Sequence, residues 1–442
     1  MSDRKNILIV TFTSPYPATD GGKMSIFGTV NYLRNYFDIS LVFRTFGDEE
    51  LDGSNNLKKI WEDVTIHTIH YPVDVLPPER KTVKGSVRKV TKIARKMLKQ
   101  LLRKDNKPKK EITDTAVYNT DRAIDFYPFQ PIDNDIINLL ENLFANNFYD
   151  IIQVEYSWLL NIVHILPEQS KKIFVQIENR YTILQDYFGK NNNTSLFSKY
   201  IISNARFAEI SLMEKYDYIF ALNDDDKKQI GQYINEDKIY VAPFPILDSS
   251  HSKSVAEYFE PQKLVFLGSQ NHLPNEDAMK WFIEAIYPFV NLKLYVTGKW
   301  DKYFIDKYPA VVFTGFIDDL SELMNNSIVI SPVRLGGGGI RAKVLQAMAM
   351  KCPLISTSLG CTGLQSMEDQ KNIFIANTAK EFVAAINKLQ ADKDLCRSLI
   401  TNGYNLIQKF YSEKAVGEIR KEIYFKILNI SHQPQIYTEK ND

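Results

Sequence analysis

The chain alternates between short apolar runs and helical periods, and it does so twice. Residues 6–12 form a continuous apolar run, as a parallel strand covered on both faces requires. A Pro- and Gly-rich loop follows over 14–22, and then Ile26, Phe27, Val30 and Leu33 recur on one helical face. Segments 39–43, 66–70, 149–155, 172–177 and 216–222 read as further buried strands. The polar, Ser-rich stretch 247–256 interrupts the pattern as a domain joint would. The pattern restarts with strands at 263–268, 292–297, 311–314, 327–331 and 353–356. Parallel neighbours need crossover connections, so this alternation builds doubly wound sheets. The expected fold is α/β, with two Rossmann-like parallel-sheet domains facing across a cleft. The first domain is expected over 1–246, the second over 258–412, and a last helix over 413–430 packs back toward the first.

Composition excludes several alternatives. With 44% hydrophobic and 24% charged residues, the 442-residue chain is neither disordered nor a membrane bundle. Three cysteines, Cys352, Cys361 and Cys396, make no disulfide framework and suit a reducing compartment. No apolar run reaches the roughly 18 residues of a membrane span, and the N-terminal apolar run reads as a strand, not a signal peptide. A cytoplasmic location is expected.

The net charge of +1, from 54 basic and 53 acidic residues, conceals an asymmetry. Residues 79–111 hold fourteen Lys or Arg against three acids, and the remaining chain holds 40 basic against 50 acidic. Within that stretch Val87, Val90, Ala94, Met97, Leu98 and Leu101 share one helical stripe, with Arg88, Lys92, Arg95, Lys96, Lys99 and Arg103 opposite. Two readings stay open. The segment is a surface helix packed on its own domain, or, through 84–104, a helix drawn to an anionic membrane surface at the inner face of the cytoplasmic membrane. Nucleic acid is not an expected partner, since few aromatics are interleaved.

The strongest local signal follows the strand at 327–331. Four glycines, Gly336 to Gly339, open the next helix, and Arg341 and Lys343 fall in its first turn. Glycines let a ligand approach the backbone, and the free N–H groups of a helix start favour an anion. Cations there oppose the macrodipole, a conflict that a bound phosphate or diphosphate resolves. The spacing is neither a dinucleotide fingerprint nor a P-loop. Gly21 and Gly22 form a second glycine loop at the carboxyl end of the first strand, where open α/β sheets bind ligands. The acidic run Asp224 to Asp226 reads as a helix start and not as a metal site.

Gly338-Gly-Ile-Arg-Ala-Lys-Val-Leu-Gln-Ala-Met-Ala-Met-Lys-Cys-Pro-Leu-Ile-Ser-Thr357 resembles the donor-site motif of GT-B glycosyltransferases of family 4, the glycosyl transferases group 1. Phe266-Leu-Gly-Ser with Pro274-Asn275, Thr297-Gly298, Phe313-Thr-Gly-Phe-Ile-Asp-Asp319 and Ser358-Leu-Gly-Cys-Thr-Gly-Leu364 match in the same order, as do Pro15, Pro17, Gly21 and Gly22. The resemblance is dense over 263–364 and thin over 45–215.

It implies a retaining, metal-independent glycosyltransferase of the EC 2.4 class. Such an enzyme moves a sugar from a nucleotide-diphosphate sugar to a hydroxyl of a glycan or lipid-linked acceptor in cell-surface polysaccharide or glycoconjugate synthesis, and requires no cofactor. The implied donor-binding residues are Gly21, Gly22, Gly268, Ser269, Asn275, Gly298, Gly315, Phe316, Ile317, Gly337, Gly338, Gly339, Ile340, Arg341, Lys343 and Gln346. The implied catalytic residues are Arg341 and Lys343, with Glu178 on the acceptor side.

The chain departs from the family pattern in two places. The paired glutamates of the family fall on Gly338 and Gln346, and its Arg-Lys pair is absent from the loop Gly268-Ser-Gln-Asn-His272. Arg341 and Lys343 are expected to replace that pair. A loop histidine at 272 is expected to be solvated, although its loop could face the cleft. Two other readings remain: a non-catalytic GT-B partner subunit that binds nucleotide sugar or glycan, and a nucleotide-sugar epimerase.

Overall fold

A computed structural model describes residues 4–18, 20–72, 132–190, 195–247, 259–270, 272–317, 319–336 and 339–429. The basic stretch 79–111, including the segment 84–104 for which both readings stay open, lies outside the described residues, as do Gly337 and Gly338.

The first domain runs β1 (Asn6–Thr13), α1 (Gly21–Leu33), β2 (Asp38–Phe46), α2 (Gly47–Ile60), β3 (Thr65–Tyr71), α3 (Asn134–Asn146), β4 (Ile151–Glu155), a 3-10 helix (Ser157–Ile165), β5 (Lys171–Gln176), α4 (Arg180–Lys190), α5 (Leu196–Met213), β6 (Tyr218–Ala221), α6 (Asp224–Gly231) and β7 (Ile239–Val241). The second runs β8 (Lys263–Phe266), α7 (Leu273–Ala285), β9 (Lys293–Thr297), α8 (Lys302–Lys307), β10 (Val312–Gly315), α9 (Ser321–Met324), β11 (Ser327–Ser331), α10 (Ala342–Ala349), β12 (Leu354–Ser356), β13 (Phe374–Ile375), α11 (Ala379–Ala391) and α12 (Lys393–Phe410). A last helix, α13 (Glu413–Ile427), closes the described chain. The strand orders are β3-β2-β1-β4-β5-β6-β7 and β10-β9-β8-β11-β12-β13, with parallel pairing throughout both sheets. Both are doubly wound α/β sheets, as the alternation predicts. The short strands β7 and β13 escape the sequence reading, because three- and two-residue runs carry no periodicity.

The apolar runs work as two-faced strands. In β1, Ile7 and Ile9 enter the cluster on one face, with α1 and α13, while Leu8 and Val10 enter the cluster on the other, with α3 and the 3-10 helix. Each such side chain contributes about 1.5–3 kcal/mol on burial. The cluster on the first face also takes Val265, Ile340 and Val344 from the second domain, so one apolar core crosses between the sheets.

Helix α13 buries Val416, Gly417, Arg420, Ile423, Tyr424 and Ile427. Its side chains lie against the first domain. Gly417 meets the Tyr32 ring of α1, and the Tyr424 hydroxyl donates to Gln153 Oε1. The fully buried Arg420 guanidinium donates to the carbonyls of Ala242 at 3.1 Å and Pro243 at 3.2 Å. Its charge also offsets that of Glu155, a buried carboxyl that desolvation pushes up to about 7.

Candidate active site

In each sheet the strand order reverses beside the first strand, between β1 and β4 and between β8 and β11. Loops leaving the carboxyl ends of such neighbours diverge and leave a crevice. The two crevices face each other. Between them lies a cavity of about 600 Å³, within the size range of ligand sites.

Three helix starts point into this cavity. Asp20 caps α1, its carboxylate accepting from the Lys23 amide at 3.0 Å. His272 is the N-cap of α7, and Arg341 that of α10. Arg341 thus stands just before the helix and not within its first turn, while Lys343 is the second helical residue. The two domains meet closely here. A Cβ on Gly21 would lie 2.6 Å from Ala342 Cβ, so only glycine lets the two helix starts approach.

Lys343 reaches across the second-domain wall. Its Nζ donates to Asn275 Oδ1 and sits 4.6 Å from the centre of the Phe266 ring. Asn275 is held in turn, its amide donating to Ser269 O at 2.9 Å. Burial, and then the Arg341 charge, bring the Lys343 ammonium down to about 7. Arg341 faces the first domain. Burial works against its charge, and Glu178, Asp226 and Asp186 work for it. Two cations thus share one cleft with the α10 start, an unfavourable arrangement that an anion between them would relieve.

The Gly-rich loop also locks the domains together. Gly339 has φ +74°, and its amide donates to both carboxylate oxygens of Asp226 at 3.2 Å. A Cβ there would sit 2.7 Å from Ile177 O. Asp226 is in the helix start of α6, as its sequence suggests, with Asn223 as N-cap. Its buried carboxyl is pushed up to about 6 by desolvation, and it serves the interdomain contact as well as the helix.

Glu178 lies in the turn between β5 and α4 and lines the cavity. The turn is pinned from below. Gln176 Nε2 donates to Glu178 O at 2.6 Å, and buried Glu209 accepts the amides of Arg180 and Tyr181, both at 3.1 Å. His272 keeps a solvent-accessible face in the cleft yet is crowded by protein, and burial lowers it below the usual imidazole range. It lines the cleft while remaining exposed to solvent, so both parts of the expectation hold.

Of the expected site residues, Gly21, Gly22, Glu178, Gly268, Ser269, Asn275, Gly298, Phe316, Ile317, Ile340, Arg341, Lys343 and Gln346 line this one cavity. Gly315 stands behind the lining, where its carbonyl accepts the Gly298 amide at 2.8 Å. Gly339 faces a neighbouring groove. Gly337 and Gly338 lie outside the described residues. The sequence reading misses Asp20, Ser25, Ile177, Phe244, Leu267, Thr297, Leu320 and Ala342. Asp20 carried a signal, as an N-cap residue just before Gly21-Gly22. Phe244 carried none, because it enters from beyond β7. Among the described residues, no group of three or more His, Cys, Asp or Glu is placed to hold a metal ion.

Residues 261–392 match the family model described as Glycosyl transferases group 1. A Klebsiella pneumoniae protein, "Uncharacterized 44.6 kDa protein in cps region", is 21% identical over 326 residues, covering 67% of this chain and 80% of that protein. Sucrose-phosphate synthase from Thermosynechococcus elongatus superposes with a TM-score of 0.63 at 12% identity, over 97% of this chain and 100% of its own. S. aureus TarM gives a TM-score of 0.61 at 14% identity, over 96% and 99%. Anabaena HepE, solved with UDP-glucose, gives 0.61 at 12% identity, over 95% and 99%. Residues 261–392 thus match the glycosyl transferases group 1 family, and the described residues have the GT-B fold.

Proposed function

We propose that this protein is a retaining glycosyltransferase that moves a sugar from a nucleotide-diphosphate sugar to a hydroxyl of a glycan or lipid-linked acceptor, in cell-surface polysaccharide or glycoconjugate synthesis. The observation that carries the reading is the convergence of Arg341, Lys343 and the α10 start on one enclosed cavity. In the reaction the bond from the sugar's anomeric carbon to the diphosphate breaks as a bond to the acceptor oxygen forms on the same face, and the acceptor's hydroxyl proton passes to the departing diphosphate oxygen. The two cations and the backbone amides hold the negative charge that develops on the leaving diphosphate, with no metal required. The nucleoside lies against Gly268, Gly298, Phe316 and Ile317, and Gln346 holds ribose hydroxyls. Glu178, from the opposite domain, takes the acceptor side. The UDP and UDP-glucose complexes of HepE support a nucleotide sugar as donor, and the cps-region relative supports a polysaccharide product.

Thermal-shift measurements with UDP, GDP, ADP and their sugars test the donor, since a ligand of the native state raises apparent stability. Donor hydrolysis or transfer by the purified protein then separates an enzyme from a non-catalytic partner subunit, which binds without turnover. Arg341→Ala and Lys343→Ala are each expected to lower turnover about 100-fold or more, as loss of one charge-stabilising donor does. Unchanged turnover in both variants would falsify the assignment.

The basic sequence 84–104 is proposed to bind the anionic inner face of the cytoplasmic membrane. Its test is co-sedimentation with anionic vesicles. Binding insensitive to Arg95→Glu plus Lys99→Glu removes the proposal.

A further inference from the structure

A second hollow, of about 360 Å³, opens on the far side of Arg341 from the cleft. Its walls come from both domains: α4 and α6 on one side, and Gly336, Gly339, Arg341 and the 359–362 turn on the other. A much smaller hollow, of about 20 Å³, lies between the two spaces. Glu178 lines both the cleft and the small hollow, Asp186 lines both the small hollow and the groove, and Arg341 lines all three.

The chemistry differs between the cleft and the groove. The cleft presents apolar walls, among them Phe244, Leu267, Phe316 and Ile340. The groove presents almost only polar side chains, with Leu359 as its one apolar member among the described residues. Gln185, Gln229, Gln232 and Thr362 offer amides and a hydroxyl, and three carboxylates outnumber the two cations, Lys228 and Arg341. Arg341 is matched by Asp186 and Asp226. Such a wall supplies closely spaced donors and acceptors without net positive charge. It fits a ligand with many neutral hydroxyls and disfavours phosphate, carboxylate or an alkyl chain.

We infer that the groove holds the acceptor's terminal sugars, and that it selects a neutral glycan over an acidic or phosphorylated one. This rests on the glycosyltransferase reading above and narrows its acceptor. Arg341, which lines both spaces, then stands between the acceptor's sugars in the groove and the diphosphate in the cleft.

The test uses the full-length protein with saturating UDP, and saturation-transfer NMR with maltose, cellobiose, chitobiose and lactose, against glucose 6-phosphate and glucuronic acid. At least one neutral disaccharide is expected to bind, and the two anionic sugars at least tenfold more weakly. Gln232→Leu with Gln185→Leu is expected to lower neutral-sugar affinity tenfold or more. Asp225→Lys is expected to admit the anionic sugars. All three side chains are solvent-exposed, and unchanged circular dichroism confirms folding. Equal binding of both classes, no binding by any neutral sugar, or neutral binding indifferent to the paired leucines overturns the inference. A protein that binds these sugars but no nucleotide instead overturns the donor reading and leaves the groove standing.

Discussion

Lys343 should make the proposed donor site pH-sensitive, and the effect can be worked out in advance. Its ammonium lies between the Phe266 ring and the Asn275 amide oxygen, with Arg341 as the neighbouring charge. Burial and that like charge lower it to about 7 in the unliganded cleft. A bound diphosphate reverses the local field and returns the group toward the ordinary lysine range of about 10.4. The bound-state value therefore lies above the free-state value. Donor affinity is complete below pH 7 and falls as pH rises, by up to tenfold per unit, until the bound-state value is passed. At about pH 8.5 the loss relative to the low-pH plateau is about 30-fold, or about 2 kcal/mol. The assay is isothermal titration with the nucleotide sugar that gives the largest thermal shift, because its diphosphate diester does not itself titrate there. Lys343→Met is the control, since it keeps the volume and removes the proton. His272, Glu178 and Asp226 also face the cleft or border it, and any titration of theirs persists in that control. A flat wild-type affinity, or an equal decline in Lys343→Met, refutes the reasoning.

Other perturbations probe the frame around the site. Gly339→Ala places a Cβ 2.7 Å from Ile177 O at φ +74° and should cost about 1–3 kcal/mol, read as a lowered denaturant midpoint; an unchanged midpoint means the loop does not bind the domains. Arg420→Met leaves Glu155 buried without its cation and should cost about 3–5 kcal/mol, with Glu155→Gln recovering a large part; no recovery denies the pairing. Glu155 and Glu209 are each held near about 7 by desolvation, above their unfolded values. Their contribution is therefore present below the ordinary glutamate range and lost as pH rises toward 7, so the wild type should gain melting temperature as pH falls from 7.5 toward 5.5 relative to Glu155→Gln/Glu209→Gln. Parallel pH profiles for the two proteins refute this.

What could be seen in the sequence follows from how local each signal is. Strand runs such as Ile7 to Val10 announce themselves because each residue is buried by its own apolar side chain, and the α6 start because Asp224 to Asp226 suit a helix N-terminus. The glycine loop is equally local, and it leads directly to Arg341 and Lys343. Asp226 marks the boundary. Its sequence context explains only a helix start, yet its buried carboxylate takes the Gly339 amide, 113 residues away. Nothing in either segment records that pairing.

The same limit explains why the acceptor side stays faint and the donor side does not. A donor site on one domain is built from loops that follow consecutive strands, so its residues recur in order as Gly268, Gly298, Phe316 and Arg341. The polar groove draws Gln185, Asp225 and Thr362 from three elements of two domains, each an ordinary surface residue by itself. The proposed selectivity needs both domains side by side, and that contact includes close approaches at Gly21 and Gly339. A glycine can be read as permissive of a turn, but the backbone it must admit belongs to the other domain. Acceptor preference in this chain is therefore a property of the interface, and substitutions at Gly339 should alter it along with stability.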